Sequence, residues 1–220
     1  MILHALVPVK TLDQAKSRLA PLLAPAERQT LALAMLGDVL TVLQATPEVD
    51  AVTVVSADMH VRELSLRMGA NVRSEQAAGL NWALTQAVAS DALAGAARLL
   101  VLFADLPLLT ASELSMFIGH SDEADVVLGA AGDGGTNALL AWLPLPIPLR
   151  FGAASLIQHR AESIARGLRT RIVRSPGLSS DIDQPDDLLW LIEQHRATAS
   201  GRFVRSLPLA EQFAAVGGYS

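Results

Sequence analysis

Apolar and polar residues alternate along this chain in blocks that predict strands and helices by turns. Short apolar runs of strand length recur, and amphipathic stretches with helical spacing lie between many of them. The predicted strands are residues 2–7, 51–56, 70–73, 99–103, 125–130, 136–142 and 170–173. The predicted helices are residues 25–44, 58–68, 81–90, 112–119, 153–166 and 185–195. This alternation predicts an α/β fold with a mostly parallel central sheet and helices on both faces.

The 220 residues suffice for one such domain with a sizeable core. We predict a single domain over residues 1–197 and a loosely attached C-terminal tail over residues 198–220, since Gly and Ser lie at both ends of the last stretch. The segment WLPLPIPLRF, residues 142–151, is apolar, but its prolines exclude a central strand. We expect another surface to cover it, which predicts a homodimer.

Composition excludes several classes of protein. The 17 basic and 22 acidic residues give a net charge of -5, which provides no general attraction to nucleic acid or to anionic membranes. The absence of cysteine excludes disulfides and thiolate metal sites. We find neither a signal-peptide pattern nor an apolar run long enough to cross a bilayer, so we expect a cytoplasmic protein without nucleic-acid or membrane partners. A phosphate ligand would need a local cluster of cations.

The most apolar predicted strand ends at Asp105, and Pro107 prevents its simple continuation. In open α/β sheets, ligands bind at the carboxyl ends of strands, where a carboxylate can hold a divalent cation over a substrate phosphate. The alternative is that Asp105 only shapes a turn or caps a helix near Thr110. This stretch alone leaves both interpretations open.

Two further carboxylates, Asp181 and Asp183, alternate in the segment SDIDQP. Alternate residues of an extended segment point the same way, so both can face one ligand. Capping of the following helix would explain Asp183 and would leave Asp181 unexplained. Together with Asp105, the pair favours a three-carboxylate magnesium site.

Lys10, Lys16 and Arg18 follow the first predicted strand. This cluster favours nucleotide binding over a solvated basic loop, because phosphates need cationic partners. Neither GxxxxGK[ST] nor GxGxxG occurs, which argues against a Walker A loop and a dinucleotide cofactor. Thr136 and Ser155 lie at a glycine turn and a predicted helix start, where ordinary turn and cap chemistry is the preferred explanation from the residues alone.

In combination, these segments resemble the 2-phospho-L-lactate guanylyltransferases and their bacterial relatives that use phosphoenolpyruvate. The family order over residues 1–191 is VPVKTLDQAKSRL, GLNWAL, FADLPLL, GGTNALL, FGAASLIQH and SSDIDQPDDL. The resemblance implies a Rossmann-like nucleotidyltransferase fold and transfer of GMP from GTP to a phospho-acid, with release of pyrophosphate, in coenzyme F-420 biosynthesis. Phosphoenolpyruvate, 2-phospho-L-lactate and 3-phosphoglycerate stay open as acceptors, because Ala153-Ala154 stands where the family usually has Pro-Gly.

The resemblance also implies roles for individual residues and pairing of two chains. Mg²⁺ would be held by Asp105, Asp181 and Asp183. The GTP phosphates would meet Lys10, Lys16 and Arg18, with Asp105, Lys16 and Arg18 as the catalytic set. The nucleoside would lie near Pro8, Gly79 and Asn81, and the acid would be bound by Thr136, Gly152 and Ser155. Two alternatives remain: a molybdenum-cofactor or sugar-phosphate nucleotidyltransferase of the same fold, and a non-catalytic nucleotide-binding protein.

Overall fold

Seven strands form one sheet in the computed structural model of the protein, which describes residues 1–74, 79–90 and 93–209. The strands are β1 (Leu3–Pro8), β2 (Ala51–Val55), β3 (Asn71–Arg73), β4 (Arg98–Leu102), β5 (Val126–Ala130), β6 (Thr136–Trp142) and β7 (Thr170–Val173). Their order in the sheet is β3-β2-β1-β4-β6-β5-β7. Strand β6 runs antiparallel to β4 and β5, and the other neighbours are parallel. The predicted mostly parallel α/β fold is confirmed.

Eight α-helices accompany these strands in the described part of the chain. They are α1 (Pro25–Gln44), α2 (Met59–Arg67), α3 (Leu80–Val88), α4 (Ala111–Gly119), α5 (Ser155–Ala165), α6 (Pro176–Ser179), α7 (Pro185–Glu193) and α8 (Ala199–Arg205). Local caps start several of them. The Asp58 carboxylate accepts hydrogen bonds from free backbone N–H groups in the first turn of α2. At α4, Thr110 and Glu113 form a reciprocal capping box. The sequence pattern does not predict the short α6 or the terminal α8.

The sheet is buried on both faces, as its near-continuous apolar strands require. Alternate residues of β1 enter different cores: Leu3 and Val7 face one cluster, and Leu6 faces the other. The first cluster packs under α1, α2 and α4, while the second packs under α3 and the beginning of α5. None of the described helices combines the length and apolar character needed to cross a membrane.

The prediction of a loosely attached tail from residue 198 is wrong for residues 198–209. Helix α8 packs on α1. Val204 and Leu209 are buried in a third apolar cluster, together with residues of α7 and of the loop between β1 and α1, which is called the first loop below. The Asp38 carboxylate of α1 accepts hydrogen bonds from the backbone N–H groups of Ala199 (2.7 Å) and Ser200 (3.0 Å). The remainder of the predicted tail, residues 210–220, lies outside the described residues.

The apolar segment of residues 142–151 is covered by the chain itself. Ile147, Leu149 and Phe151 are buried in the second core cluster. Their burial removes the reason for which we expected a second surface. The homodimer therefore stays a prediction that rests on the family resemblance alone.

Replacing Asp38 with alanine should destabilise the protein by about 1.5–3 kcal/mol, because the α8 amides and the Ser200 hydroxyl lose a charged acceptor. Urea unfolding measures this loss. Glu63→Ala, which removes an exposed acid from α2, is the matched control and should stay within about 0.5 kcal/mol of wild type. Equal stability of the two variants would show that the Asp38 contacts do not hold α8 in place.

Candidate functional site

A cavity of about 420 Å³ opens where the carboxyl ends of β1 and β4 diverge. Strand order reverses at this point, since the chain continues from β1 towards β3 on one side and later enters β4 on the other. Such a switch point is where ligands bind in open α/β sheets. The cavity is lined by the loop after β1, the start of α3 and the residues after β4, including Pro8, Lys10, Lys16, Arg18, Leu80, Ala83, Phe103, Asp105 and Asp183.

Lys16 lies between two of the predicted carboxylates. Its Nζ is 2.8 Å from Asp105 Oδ2 and 2.7 Å from Asp183 Oδ1, and only 9% of its side chain is exposed. Burial works to lower the pKa of Lys16, but the charges of Asp105 and Asp183 outweigh it and hold that pKa above its ordinary value. Lys16 is therefore a fixed cation in the lining of the cavity.

Arg18 and Lys10 carry the positive charge further along the cavity wall. Arg18 Nη1 lies 3.9 Å from Asp183 Oδ2, and 64% of the Arg18 side chain is exposed. Burial works to raise the pKa of Asp183, yet the ion pair with Lys16 outweighs it, so the pKa lies below its ordinary value. Lys10 lines the same cavity. The three predicted cations are thus brought together, as the sequence indicated.

The helix-capping alternatives for Asp105 and Asp183 do not match the structure. Thr110, not Asp105, caps α4. At α7, the Asp187 carboxylate accepts hydrogen bonds from the backbone N–H groups of Asp183 (2.8 Å) and Gln184 (2.6 Å), so Asp183 is not the capping side chain. Both carboxylates are left to face Lys16.

Asp181 has a different environment from the other two aspartates. The Asn137 amide donates a hydrogen bond of 3.0 Å to Asp181 Oδ1 and another to the backbone oxygen of Leu178. Burial raises the pKa of Asp181 above its ordinary value, and the nearby charge of Asp105 adds to the rise, against the hydrogen bond from Asn137. A positive charge beside Asp181 would stabilise its ionised form and offset this effect of burial.

The predicted three-carboxylate ligand set is not formed in this arrangement. Among the described residues, no group of three or more Asp, Glu or His side chains is placed to hold a metal ion. The physical reason is Lys16, which already occupies the space between two of the carboxylates. One oxygen nevertheless fits a cation: Asp105 Oδ1 is buried without a hydrogen-bond partner among the described residues. With the unneutralised charge of Asp181, it provides hard oxygen donors of the kind that Mg²⁺ prefers.

The three residues predicted to lie near the nucleoside, Pro8, Gly79 and Asn81, have different positions relative to the cavity. Pro8 lines the cavity, together with Leu80 and Ala83 of α3. Gly79 directly precedes α3 and has a φ of 95°, which explains the glycine by backbone geometry. The Asn81 amide does not face the cavity: its Nδ2 donates to the Phe151 oxygen (2.9 Å), and its Oδ1 accepts from the Phe151 N–H (2.7 Å). Asn81 holds the loop before Gly152 instead of presenting its amide to a nucleoside.

The predicted acceptor residues form a buried polar cluster with one residue that sequence reasoning missed. Ser155 Oγ donates to Thr136 Oγ1 over 3.2 Å, and Thr136 Oγ1 lies 3.2 Å from His159 Nδ1. The His159 ring is fully buried, and its Nε2 accepts a hydrogen bond of 3.0 Å from the Arg150 N–H. The signal was available, because His159 lies four residues after Ser155 on the same face of α5.

The loop between Phe151 and α5 has unusual backbone geometry. Gly152 is exposed with a φ of 133°, and an added Cβ would have no atom within 4 Å. Ala154 adopts a left-handed conformation, with a φ of 53° and a ψ of 27°, which costs an L-residue with a Cβ about 1 kcal/mol or more. The glycine usual in the resembled family would avoid that cost, so Ala154 is strained where it begins α5.

The buried imidazole predicts an acid-sensitive fold. Burial, followed by the charge of Arg150, lowers the pKa of His159 to about 4 from the usual 6.5. The unfolded chain binds a proton at His159 more readily than the folded protein does. The contribution of the neutral ring to the free energy of unfolding is therefore complete at pH values above the unfolded pKa. It is lost as the pH falls towards the folded value, by about 2–3 kcal/mol near pH 4.5.

Urea unfolding of wild type and His159→Gln between about pH 7.5 and about pH 4.5 measures this loss. The variant should show a loss smaller by that amount, since glutamine does not titrate. His195→Gln, which replaces an exposed histidine, is the control and should keep the wild-type pH dependence. Parallel pH curves for wild type and His159→Gln would contradict the assignment of a neutral buried ring.

Comparisons with known proteins identify the family of this chain. The sequence matches the family described as "Guanylyl transferase CofC like" over residues 3–216. It is 41% identical over 205 residues to the phosphoenolpyruvate guanylyltransferase of Roseiflexus castenholzii, covering 93% of this chain and 95% of that protein. It is 37% identical over 205 residues to the 2-phospho-L-lactate guanylyltransferase of Methanothermobacter thermautotrophicus, covering 92% and 90%.

Solved structures share the fold at lower sequence identity. A protein of Desulfovibrio desulfuricans, named as a nucleotide-diphospho-sugar transferase, superposes with a TM-score of 0.79 at 18% identity, covering 98% of this chain and 97% of that one. At this identity the likeness supports the fold alone, and it confirms the predicted nucleotidyltransferase architecture. The family match spans nearly the whole chain, cavity and polar cluster included. The chain belongs to the CofC-like guanylyl transferase family.

Proposed function

We propose that this guanylyl transferase moves GMP from GTP to the phosphate of a small phosphorylated carboxylic acid, phosphoenolpyruvate or 2-phospho-L-lactate, and releases pyrophosphate. Coenzyme F-420 biosynthesis is the process in which we place the reaction. The observation that carries the proposal is the cavity at the switch point, where Lys10, Lys16 and Arg18 face two aspartates. The names of the relatives support the two substrates.

The chemistry requires two polyanions to meet. In in-line transfer, an oxygen of the acceptor phosphate attacks the α-phosphorus of GTP, the bond to the bridging oxygen breaks, and pyrophosphate leaves. No side-chain nucleophile is required, because the acceptor is already an oxyanion. The chain must therefore supply charge and position, which Lys16 as a buried cation and Arg18 as a forked, exposed one are suited to do.

Magnesium is the cofactor that we propose for this site. Asp105 would hold it through its unpartnered Oδ1, together with the Asp181 carboxylate, and the ion would supply charge neutralisation of the phosphates when bound. Lys16 contacts Asp105 and Asp183 at once and would hold both carboxylates in place before the ion binds.

The acceptor acid would bind near Thr136, Gly152 and Ser155. The support is that the structure brings the two hydroxyl groups within 3.2 Å of each other, although they lie 19 residues apart in the sequence. Gly152 leaves open space beside its Cα, as close approach of an anion to the backbone requires. Asn81 ties this loop to α3, and Leu80 of the same helix lines the nucleotide cavity.

Pyrophosphate release with magnesium, one nucleotide and one phospho-acid at a time tests the proposal. GTP should be preferred, and phosphoenolpyruvate or 2-phospho-L-lactate should be required. Asp105→Asn should lose about 100-fold or more in turnover and keep its fold, because an amide is a poor magnesium ligand. Asp122→Asn, an exposed site, is the control.

Three results would contradict the proposal in different ways. A preference for CTP or UTP would favour a sugar-phosphate or molybdenum-cofactor enzyme of the same fold. GTP binding without pyrophosphate release under any acceptor would indicate a non-catalytic protein. Near-normal turnover of Asp105→Asn would return that residue to a structural role.

Variants of the two halves of the site should fail differently. Arg18→Ala removes a cation from the triphosphate side and should raise the apparent KM for GTP about tenfold with every acceptor. Ser155→Ala removes the hydroxyl that donates to Thr136 on the acid side and should weaken the acid's apparent affinity by about 0.5–1.5 kcal/mol, mainly through KM. Arg67→Ala, an exposed cation of α2, should change neither value. Steady-state kinetics with each substrate varied in turn would reveal equal damage to both affinities if the division is wrong.

A further inference from the structure

The hydrogen bonds of His159 determine which ring nitrogen carries the proton. The backbone N–H of Arg150 donates to Nε2, and an N–H cannot accept, so Nε2 must be unprotonated. A neutral imidazole then carries its hydrogen on Nδ1. Nδ1 lies 3.2 Å from Thr136 Oγ1, to which it therefore donates.

This assignment determines the role of the Thr136 hydroxyl as well. Oγ1 accepts one hydrogen bond from His159 and a second from the Ser155 hydroxyl, so both of its lone pairs are engaged. Its own hydrogen remains, and the described residues include no acceptor that receives it. A threonine in this state can only donate, and an anionic oxygen is the partner that a lone donor favours most.

The surroundings of His159 keep the ring in one orientation. The ring meets Phe151 edge-on, with centroids 5.0 Å apart, and Phe151 in turn packs against Phe103, which lines the nucleotide cavity. The ring is fully buried, and burial together with Arg150 lowers its pKa to about 4. It is therefore neutral near pH 7 and keeps the same donor and acceptor.

We propose that His159 is a positioning residue for the acceptor acid: it donates from Nδ1 to Thr136 Oγ1 and thereby leaves the Thr136 hydroxyl hydrogen as a directed donor to an anionic oxygen of the acid. The inference rests on the proposed function and adds a residue to its acceptor side. His159 also binds the backbone of Arg150, two residues before Gly152, so the same ring orients the hydroxyl and the loop.

Two isosteric variants separate the two contacts. Asparagine places an amide where Nδ1 lies and can restore the donor to Thr136, whereas glutamine reaches the position of Nε2 and restores only the acceptor for Arg150. His159→Gln should raise the apparent KM for the phospho-acid about three- to tenfold, and His159→Asn should stay within about twofold of wild type. In both variants the kcat and the apparent KM for GTP should change less than about twofold.

Ser163→Ala is the matched control, because this buried hydroxyl lies one turn further along α5 and donates to the His159 backbone oxygen. It should lose stability without changing the KM for the acid. An unchanged KM in His159→Gln, or equal damage in the asparagine and glutamine variants, would overturn the proposal. A merely structural role would raise both substrates' KM values in step with the loss of stability.

A measurement without turnover keeps this inference separate from the proposed function. The ¹⁵N spectrum of histidine-labelled wild-type protein at neutral pH should show His159 protonated at Nδ1 and bare at Nε2. The opposite tautomer would overturn the inference even if guanylyl transfer is observed. Conversely, the expected tautomer with no pyrophosphate release under any acceptor would refute the proposed function and leave the hydrogen-bond assignment intact.

Discussion

The contact of Lys16 with Asp105 and Asp183 is the interaction on which the site depends. These three residues come from the first loop, the end of β4 and the segment before α7, so a single ammonium group joins three distant parts of the chain. A buried ion pair is costly to form, and removal of one partner would leave uncompensated charge. The backbone supports the same junction, because the Ile182 N–H donates a hydrogen bond to the backbone oxygen of Asp105.

The reversed strand β6 explains how the polar cluster of Thr136, Ser155 and His159 reaches the same edge of the sheet. Because β6 runs antiparallel to β4, its first residues lie beyond the carboxyl end of β4, and the Phe103 N–H donates to the Asn137 oxygen. Thr136 and Asn137 then point to opposite faces, as neighbours in a strand do. Thr136 joins the polar cluster with Ser155, while Asn137 holds Asp181. One strand end therefore contacts both the polar cluster and Asp181.

Much of the architecture follows from local patterns in the chain. Apolar runs and helical periodicity predict the order of strands and helices, and most bounds agree with the structure within a few residues. The same patterns bring the cations after β1 and the aspartate after β4 to one site, because carboxyl ends of parallel strands meet at one edge. The exceptions are short or local: α6 has four residues and no periodicity to detect, and the glycine and serine of α8 weaken its helical pattern.

What the sequence by itself determined is the set of elements, their alternation and the chemistry available at the strand ends, since these depend on local pattern and residue type. Only the tertiary structure decided which groups meet. It placed Lys16, rather than a third carboxylate, between Asp105 and Asp183. It also paired the side-chain amide of Asn81 with the backbone of Phe151 through hydrogen bonds. In addition, it brought the His159 ring within hydrogen-bond distance of the Thr136 hydroxyl. These contacts join residues far apart in the chain, and distance along the sequence carries no information about which side chain fills a shared space.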